Sequence, residues 1–207
     1  EKPLNKMHDA AYQKTFNRPQ QEKIEKYIEL AIEFNKTHNI FVRRDKEEIL
    51  DKDIFDCSPL IKIIEPNKSI VDLGSGGGLP GVLLSITNPK NQITLIESSH
   101  KKCYFLKSLI HNLELTNTKV INTTLTEKND IGVFDVITAR AFAPIEKIIR
   151  LTKNNTHKQS IYYLLKGKDK KTIDELKVIN QKKYNYEIIK LDNKYFDRSL
   201  VVIKENE

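Results

Sequence analysis

Five of the seven glycines in this chain, Gly74, Gly76, Gly77, Gly78 and Gly81, fall within eight residues. A main chain that must take positive φ, or let a ligand approach closely, is the physical reason for such clustering. Ser69 to Leu73 (SIVDL) precedes the cluster and reads as a short buried strand; Leu79 to Ile86 (LPGVLLSI) follows and reads as a helix, with Pro80 suited to its first turn. A strand–glycine loop–helix unit presents free N–H groups to an anion, so a cofactor loop is expected here. Two acids stand beside it. Asp72 closes the strand, where an unpaired buried carboxylate would be costly, and Glu97 ends the next apolar run. From Gly76 the loop satisfies G-x-G-x-x-G with Glu97 at the spacing of a ribose-binding acid, the dinucleotide pattern. Arg140 directly follows a fourth apolar run, and Lys166 a fifth. Ligands sit at the carboxyl edge of open α/β sheets, which is where both cations are expected. The alternatives are a salt bridge from Arg140 to Asp135 or Glu146, and a plain solvated lysine at Lys166 among Lys168, Lys170 and Lys171.

The elements that must position these residues alternate. Strands are expected at Gln92 to Glu97, Lys119 to Thr123, Phe134 to Thr138, Ile161 to Leu165, Tyr186 to Leu191 and Arg198 to Lys204, and helices at His100 to Leu115, Pro144 to Thr152 and Lys170 to Lys182. Such alternation implies a mainly parallel sheet covered on both faces. No helix separates the last two strands, so they form an antiparallel hairpin. A seven-stranded sheet with that ending resembles the class I S-adenosylmethionine-dependent methyltransferase fold, a Rossmann-like α/β fold. Read from Asp72, the loop is D-x-G-x-G-x-G, which resembles the adenosylmethionine loop of that class. Residues 1–65 read as an N-terminal helical cap on the 66–207 sheet domain. One helix is expected at Pro19 to His38, where Ile24, Ile28 and Ile32 form a stripe, and a second from Asp45 to about Ile64, interrupted at Ser58-Pro59.

Composition bounds the partners. The 207 residues fit one domain with a short extension. Lys and Arg outnumber Asp and Glu 35 to 28, for a net charge of +7, which favours an anionic partner such as RNA. The excess is mostly lysine, which a biased genome composition would equally produce. No apolar run is long enough to span a bilayer, and Glu1 to Asn17 has no apolar signal-peptide centre, so a cytoplasmic protein with no membrane contact is expected. The two cysteines, Cys57 and Cys103, lack metal-binding spacing and the histidines are scattered, so no metal site is expected.

Val71 to Gly81 (VDLGSGGGLPG), Asp135 to Phe142 (DVITARAF), Leu165 to Gly167 (LKG) and Arg198 to Lys204 together resemble one family, the bacterial glucose-inhibited division protein B family (RsmG) of small-subunit rRNA guanine-N7 methyltransferases. Upstream, His38 to Cys57 is similar to it through Asn39, Arg44, Asp45, Glu47, Glu48, Leu50, Ile54 and Asp56. The resemblance implies S-adenosyl-L-methionine as cofactor, with Asp72, Gly74, Gly76, Gly78 and Leu79 in its loop, Glu97 on the ribose, Leu125 and Thr126 at the adenine, and Arg140 at the pocket. It implies Arg140 and Lys166 as positioning groups with no acid or base catalyst, and small-subunit ribosomal RNA or an assembly intermediate as partner of a monomer. The chain departs from the family at Thr124-Leu125-Thr126, commonly Arg-Ala-Glu, and at Lys52, Asp53 and Cys57, commonly Arg, His and Ser. Asp53 is thereby expected to alter an RNA-facing edge.

Absences narrow the reaction. No Asn or Asp stands before Pro-Pro after the fourth strand, as exocyclic amine methylation usually requires, and neither cysteine suits carbon-five chemistry. Guanine N7 has a lone pair and no proton to lose, so alignment and field suffice. A non-catalytic adenosylmethionine or nucleotide sensor, and a small-molecule methyltransferase, are the alternatives.

Overall fold

Ser69–Leu73 (β1) is buried at every residue but its first, as an Ile-, Val- and Leu-rich strand must be when helices cover both faces of its sheet. A computed structural model describes residues 6–40, 42, 45–191 and 197–207. Arg44, which carries part of the upstream resemblance, lies outside the described residues. The other strands are Gln92–Glu97 (β2), Thr118–Asn122 (β3), Phe134–Arg140 (β4), Thr156–Lys166 (β5), Tyr184–Leu191 (β6) and Arg198–Glu205 (β7). Their order across the sheet is β3-β2-β1-β4-β5-β7-β6. Strands β1 to β5 pair in parallel, and β7 inserts antiparallel between β5 and β6. The chain moves outward from β1 through β2 and β3, then returns to β4 on the other side. The strand order therefore reverses between β1 and β4, which opens a crevice at their carboxyl ends.

Local signals set the helices. Helix α1 spans Lys6–Thr15 and α2 spans Arg18–His38. A capping box starts α2, in which Asn17 accepts from the Gln20 N–H and Gln20 accepts from the Asn17 N–H, both at 3.0 Å. The continuous helix expected from Asp45 is instead four short pieces: α3 (Lys46–Ile49), a π-helical turn over Leu50–Ile54, α4 (Phe55–Cys57) and α5 (Pro59–Ile63). Proline explains the break before α5, but spacing of apolar residues does not distinguish a π turn from an α turn. The remaining helices are α6 (Gly81–Thr87), α7 (His100–Asn112), α8 (Ile145–Leu151) and α9 (Asp169–Lys177). Strand β5 starts five residues earlier than the apolar run suggests, because Thr156 already pairs with Phe134 across an irregularity in the register.

Two apolar clusters sandwich the sheet. One joins α2 and the α3–α5 region to α6, α7 and one sheet face, with Ile24, Ile28, Leu60, Leu83 and Phe105 fully buried. The other packs Ile145, Ile148 and Leu176 of α8 and α9 against Val71, Ile137 and Leu164. The N-terminal helices thus share a core with the sheet, and α2 packs on both α6 and α7. Among the described residues no helix is long and apolar enough to cross a membrane.

Candidate cofactor site

The glycine loop emerges from β1 at the crevice, and its conformation needs its glycines. Gly74, Gly76 and Gly78 have φ of 63°, 54° and 102°, in the left-handed range that side chains disfavour. A Cβ on Gly74 would strike the Phe142 ring. Gly81 is required for a different reason: a Cβ there would collide with Leu95 and the Asp72 carboxylate, so only glycine lets α6 sit this close to β1 and β2.

Polar side chains hold the loop from three sides. Asp72 is buried beneath it and accepts from the Thr138 hydroxyl at 2.8 Å and the Gly81 N–H at 3.2 Å. Burial raises its pKa to about 6, against these hydrogen bonds, which favour the ionised form. Glu97, also buried, accepts from the Gly76 N–H at 2.8 Å and the Ser99 N–H at 2.9 Å, joining the loop to the start of α7. From above, the Tyr27 hydroxyl on α2 donates to the Gly77 carbonyl at 2.8 Å. Burial pushes that phenol's pKa well up, so it stays a donor.

A cavity of about 350 Å³ lies over this loop, in the size range of small-ligand sites. Gly74 to Gly77 and Leu79 form its floor, Tyr27, Ala31 and Ile49 its cap side, and Lys102, Arg140, Ala141 and Asp53 its polar wall. The Arg140 Nη2 donates to Asp53 Oδ1 at 2.6 Å, and its Nη1 lies 3.8 Å from Asp56 Oδ2. Asp56 in turn lies 3.4 Å from the Arg198 Nε on β7. Burial works against the charge on Arg140, but its neighbours Cys57, Asp53 and Asp56 favour it and hold the guanidinium's pKa raised. Asp53 comes from the π turn and Asp56, three residues on, from α4.

The expected residues take different places around the cavity. Asp72 braces the loop from below and does not line the cavity. A Cβ on Gly78 would meet Val82 and Leu106, so this glycine faces the core side of the loop. Leu125 is buried in the second core cluster and Thr126 is exposed, so neither side chain forms the cavity wall. Glu97 is tied up by two main-chain N–H groups, although each carboxylate oxygen can accept a second bond. Arg140 reaches the cavity, but its ion pairs are with Asp53 and Asp56; Asp135 instead accepts from Ser69 and pairs with His157, and Glu146 pairs with Arg150. Asp53, the residue whose exchange for His was expected to alter an RNA-facing edge, is buried against Arg140. Lys166 is no free surface cation: it donates to the Ala143 carbonyl at 2.8 Å and to Glu175 at 2.7 Å. Glu175 also accepts from the Ile145 N–H at 3.1 Å, so this pair fixes the segment after β4. Beside that segment, a second cavity of about 380 Å³ is lined by Ala141 to Pro144, Lys168, Lys171 and Arg198. Both cysteines are buried thiols, and burial pushes Cys57 up to about 12. Among the described residues no group of three or more His, Cys, Asp or Glu could hold a metal ion.

Sequence reasoning missed Tyr27 and Glu175, and did not place Lys102 at the cavity. Tyr27 stands on the apolar stripe of α2 and reads as core; only its hydroxyl, 50 residues away from Gly77 in the chain, gives it a role.

Known proteins match this chain over most of its length. The family model described as GidB, rRNA small subunit methyltransferase G, matches residues 20–200. The Ribosomal RNA small subunit methyltransferase G of Brachyspira hyodysenteriae is 37% identical over 187 residues, covering 88% of this chain and 89% of that protein. The protein of that name from Francisella tularensis is 34% identical over 181 residues, 86% of this chain and 85% of its own. Solved structures of an rRNA methylase from Streptococcus thermophilus (TM-score 0.54, 12% identity, 81% of this chain and 99% of that one) and a ribosomal protein L11 methylase from Lactobacillus delbrueckii (TM-score 0.59, 13% identity, 73% and 77%) share the fold.

Proposed function

The chain belongs to the rRNA small subunit methyltransferase G family, and on that premise we propose that it moves a methyl group from S-adenosylmethionine to N7 of a guanine in small-subunit ribosomal RNA. The observation that carries the cofactor half is the cradle. Positive-φ glycines leave room for a ligand against the main chain, and a cavity over them ends in an arginine–aspartate pair. The residues fit a ligand with an adenosine at one end and a charged amino acid at the other. Gly74, Gly76 and Leu79 would hold it from below, Glu97 and the main chain near Leu125 toward β2 and β3, and Arg140 toward β4. When bound, adenosylmethionine supplies an electrophilic methyl group.

The chain's own residues then have only to place and shield. N7 of guanine carries a lone pair and no proton, so no side chain need act as a base. Among the groups on the cavity wall, Arg140 holds a fixed charge at every working pH, and Asp53 is committed to it. Tyr27, Ala31 and Ile49 line the cavity on the side facing the loop. Phe142 packs over Gly74, while Lys166 and Glu175 hold the segment behind it, so the wall between the two cavities is fixed before substrate arrives. Lys168 and Lys171 favour a phosphate-bearing substrate in the second cavity.

Transfer of labelled methyl to small-subunit RNA lacking the modification tests the reading, with the product mapped by chain cleavage specific for 7-methylguanine. One labelled loop guanine, formed at a rate flat across neutral pH, is expected. Label on an exocyclic amine, or a bell-shaped pH profile, would remove N7 as the acceptor.

A further inference from the structure

We propose that the outer face of α7 is a docking surface for single-stranded RNA, with Tyr104 stacking on an unpaired base and Lys101 and Lys107 holding the phosphates beside it. The inference deepens the reading of the chain as an RNA methyltransferase and rests on it.

The charge on α7 is unlike that of the other surface helices. Helix α2 carries four acids and four bases, and α9 three of each, as a solvated face with both signs interspersed does. Helix α7 (HKKCYFLKSLIHN) carries three lysines, two histidines and no acid. At about 100° per residue, His100, Lys101, Tyr104, Lys107 and His111 fall within about a third of its circumference, and all five are exposed. Cys103, Phe105, Leu106 and Leu109 turn the other side into the core. Among the described residues Lys101 and Lys107 form no ion pair, and Lys101 donates to the His38 carbonyl at 3.4 Å. In the last two turns of α2, which packs beside α7, the acid is Glu33, and Lys36 pairs with it at 3.0 Å.

An exposed aromatic stands at the centre of this stripe. Tyr104 is 68% exposed, and among the described residues the only other exposed aromatic is Tyr186 at 41%. Its ring is held in place: it stacks on Phe34 of α2 with centroids 6.2 Å and planes 28° apart, and Phe34 stacks on the buried Phe105 at 4.8 Å and 29°. A ring already fixed costs little to order on binding. Aromatic rings on which bases stack, set in a cationic track that follows the backbone, are what recognises single-stranded nucleic acid. A protein partner fits less well, because the cores of protein interfaces are depleted of lysine.

The surface leads to the cofactor site. Helix α7 starts just after β2 ends, at the carboxyl edge of the sheet, and Lys102 in its first turn lines the cavity over the glycine loop. A strand lying along α7 toward that turn is brought to the crevice from the β2 and β3 side, opposite the second cavity.

The chain has no tryptophan, so Tyr104→Trp introduces a single indole. Small-subunit RNA lacking the modification should quench its emission, and a fully paired RNA duplex should not. Tyr104→Leu keeps an apolar side chain but removes the π face. It should bind that RNA about 10-fold or more weakly, while its single-turnover rate at saturating RNA and its affinity for S-adenosylhomocysteine match the wild type, which also reports that it is folded. Replacing Lys101 and Lys107 together by Gln should reduce the log–log salt slope of RNA binding by about 1.4. An indole that stays unquenched in a variant that binds RNA overturns the proposal, as does quenching by the duplex. So does Tyr104→Leu at wild-type RNA affinity, which would leave the ring to a protein partner, or an unchanged salt slope. A wild type that binds no small-subunit RNA would instead overturn the methyl-transfer reading itself.

Discussion

Asp72 pays a desolvation cost that the rest of the loop needs. Its carboxyl titrates at about 6 in the fold, raised by burial, against roughly 3.9 in an unfolded chain. A carboxyl with a raised folded value gives stability that is fully present below the unfolded value and is lost as pH rises through the folded one. Ionised Asp72 therefore costs the folded protein about 3 kcal/mol at neutral pH, from about 1.4 kcal/mol per unit. In Asp72→Asn the side chain no longer titrates. Denaturant unfolding across pH should show the wild type losing about 3 kcal/mol relative to the variant between pH ~4 and ~6, with no further change above. A difference that stays constant across that window would mean the carboxylate is better solvated than its surroundings imply.

The hydrogen bond from α2 to the loop is the Tyr27 hydroxyl on the Gly77 carbonyl. Tyr27→Phe keeps the ring in the core and deletes only that bond. Loss of about 1 kcal/mol of unfolding free energy is expected, with faster amide exchange in Gly76 to Gly78 than elsewhere. Exchange raised equally throughout the chain would place the effect in global stability and not in the loop. The π turn acts at the same scale. A regular α turn over Leu50–Ile54 would rotate the residues after it, and Asp53 and Asp56 would not both face Arg140.

Over the whole molecule, the excess of lysine acquires a location. Lys168 and Lys171 are exposed at the second cavity, Lys170 is exposed beside them in the chain, and Lys102 lines the first. Binding of small-subunit RNA should weaken steeply with salt, and replacing Lys168 and Lys171 together by Gln should reduce the log–log slope by about 1.4, from about 0.7 per single-strand phosphate contact. Adenosylmethionine affinity should change little in the same series, measured by calorimetry. An unchanged RNA slope would place the phosphates on another face.

The order of strands and helices, the glycine loop and the closing hairpin were legible in the sequence, because each depends on period, on glycine and proline, and on residues close together in the chain. Arg140 could be placed at the carboxyl edge for the same reason: a residue directly after a parallel strand has nowhere else to go. Its partners could not. Asp53 and Asp56 lie more than 80 positions away, on a helix whose π turn leaves no mark in apolar spacing. Asp72 and Glu97 were legible as acids at strand ends, but their commitment to main-chain N–H groups emerges only when the loop folds over them. Sequence determined which residues arrive at the crevice; tertiary structure decided which of them face the cavity and which hold its walls, because ion pairs and buried hydrogen bonds join residues by distance in space and not along the chain.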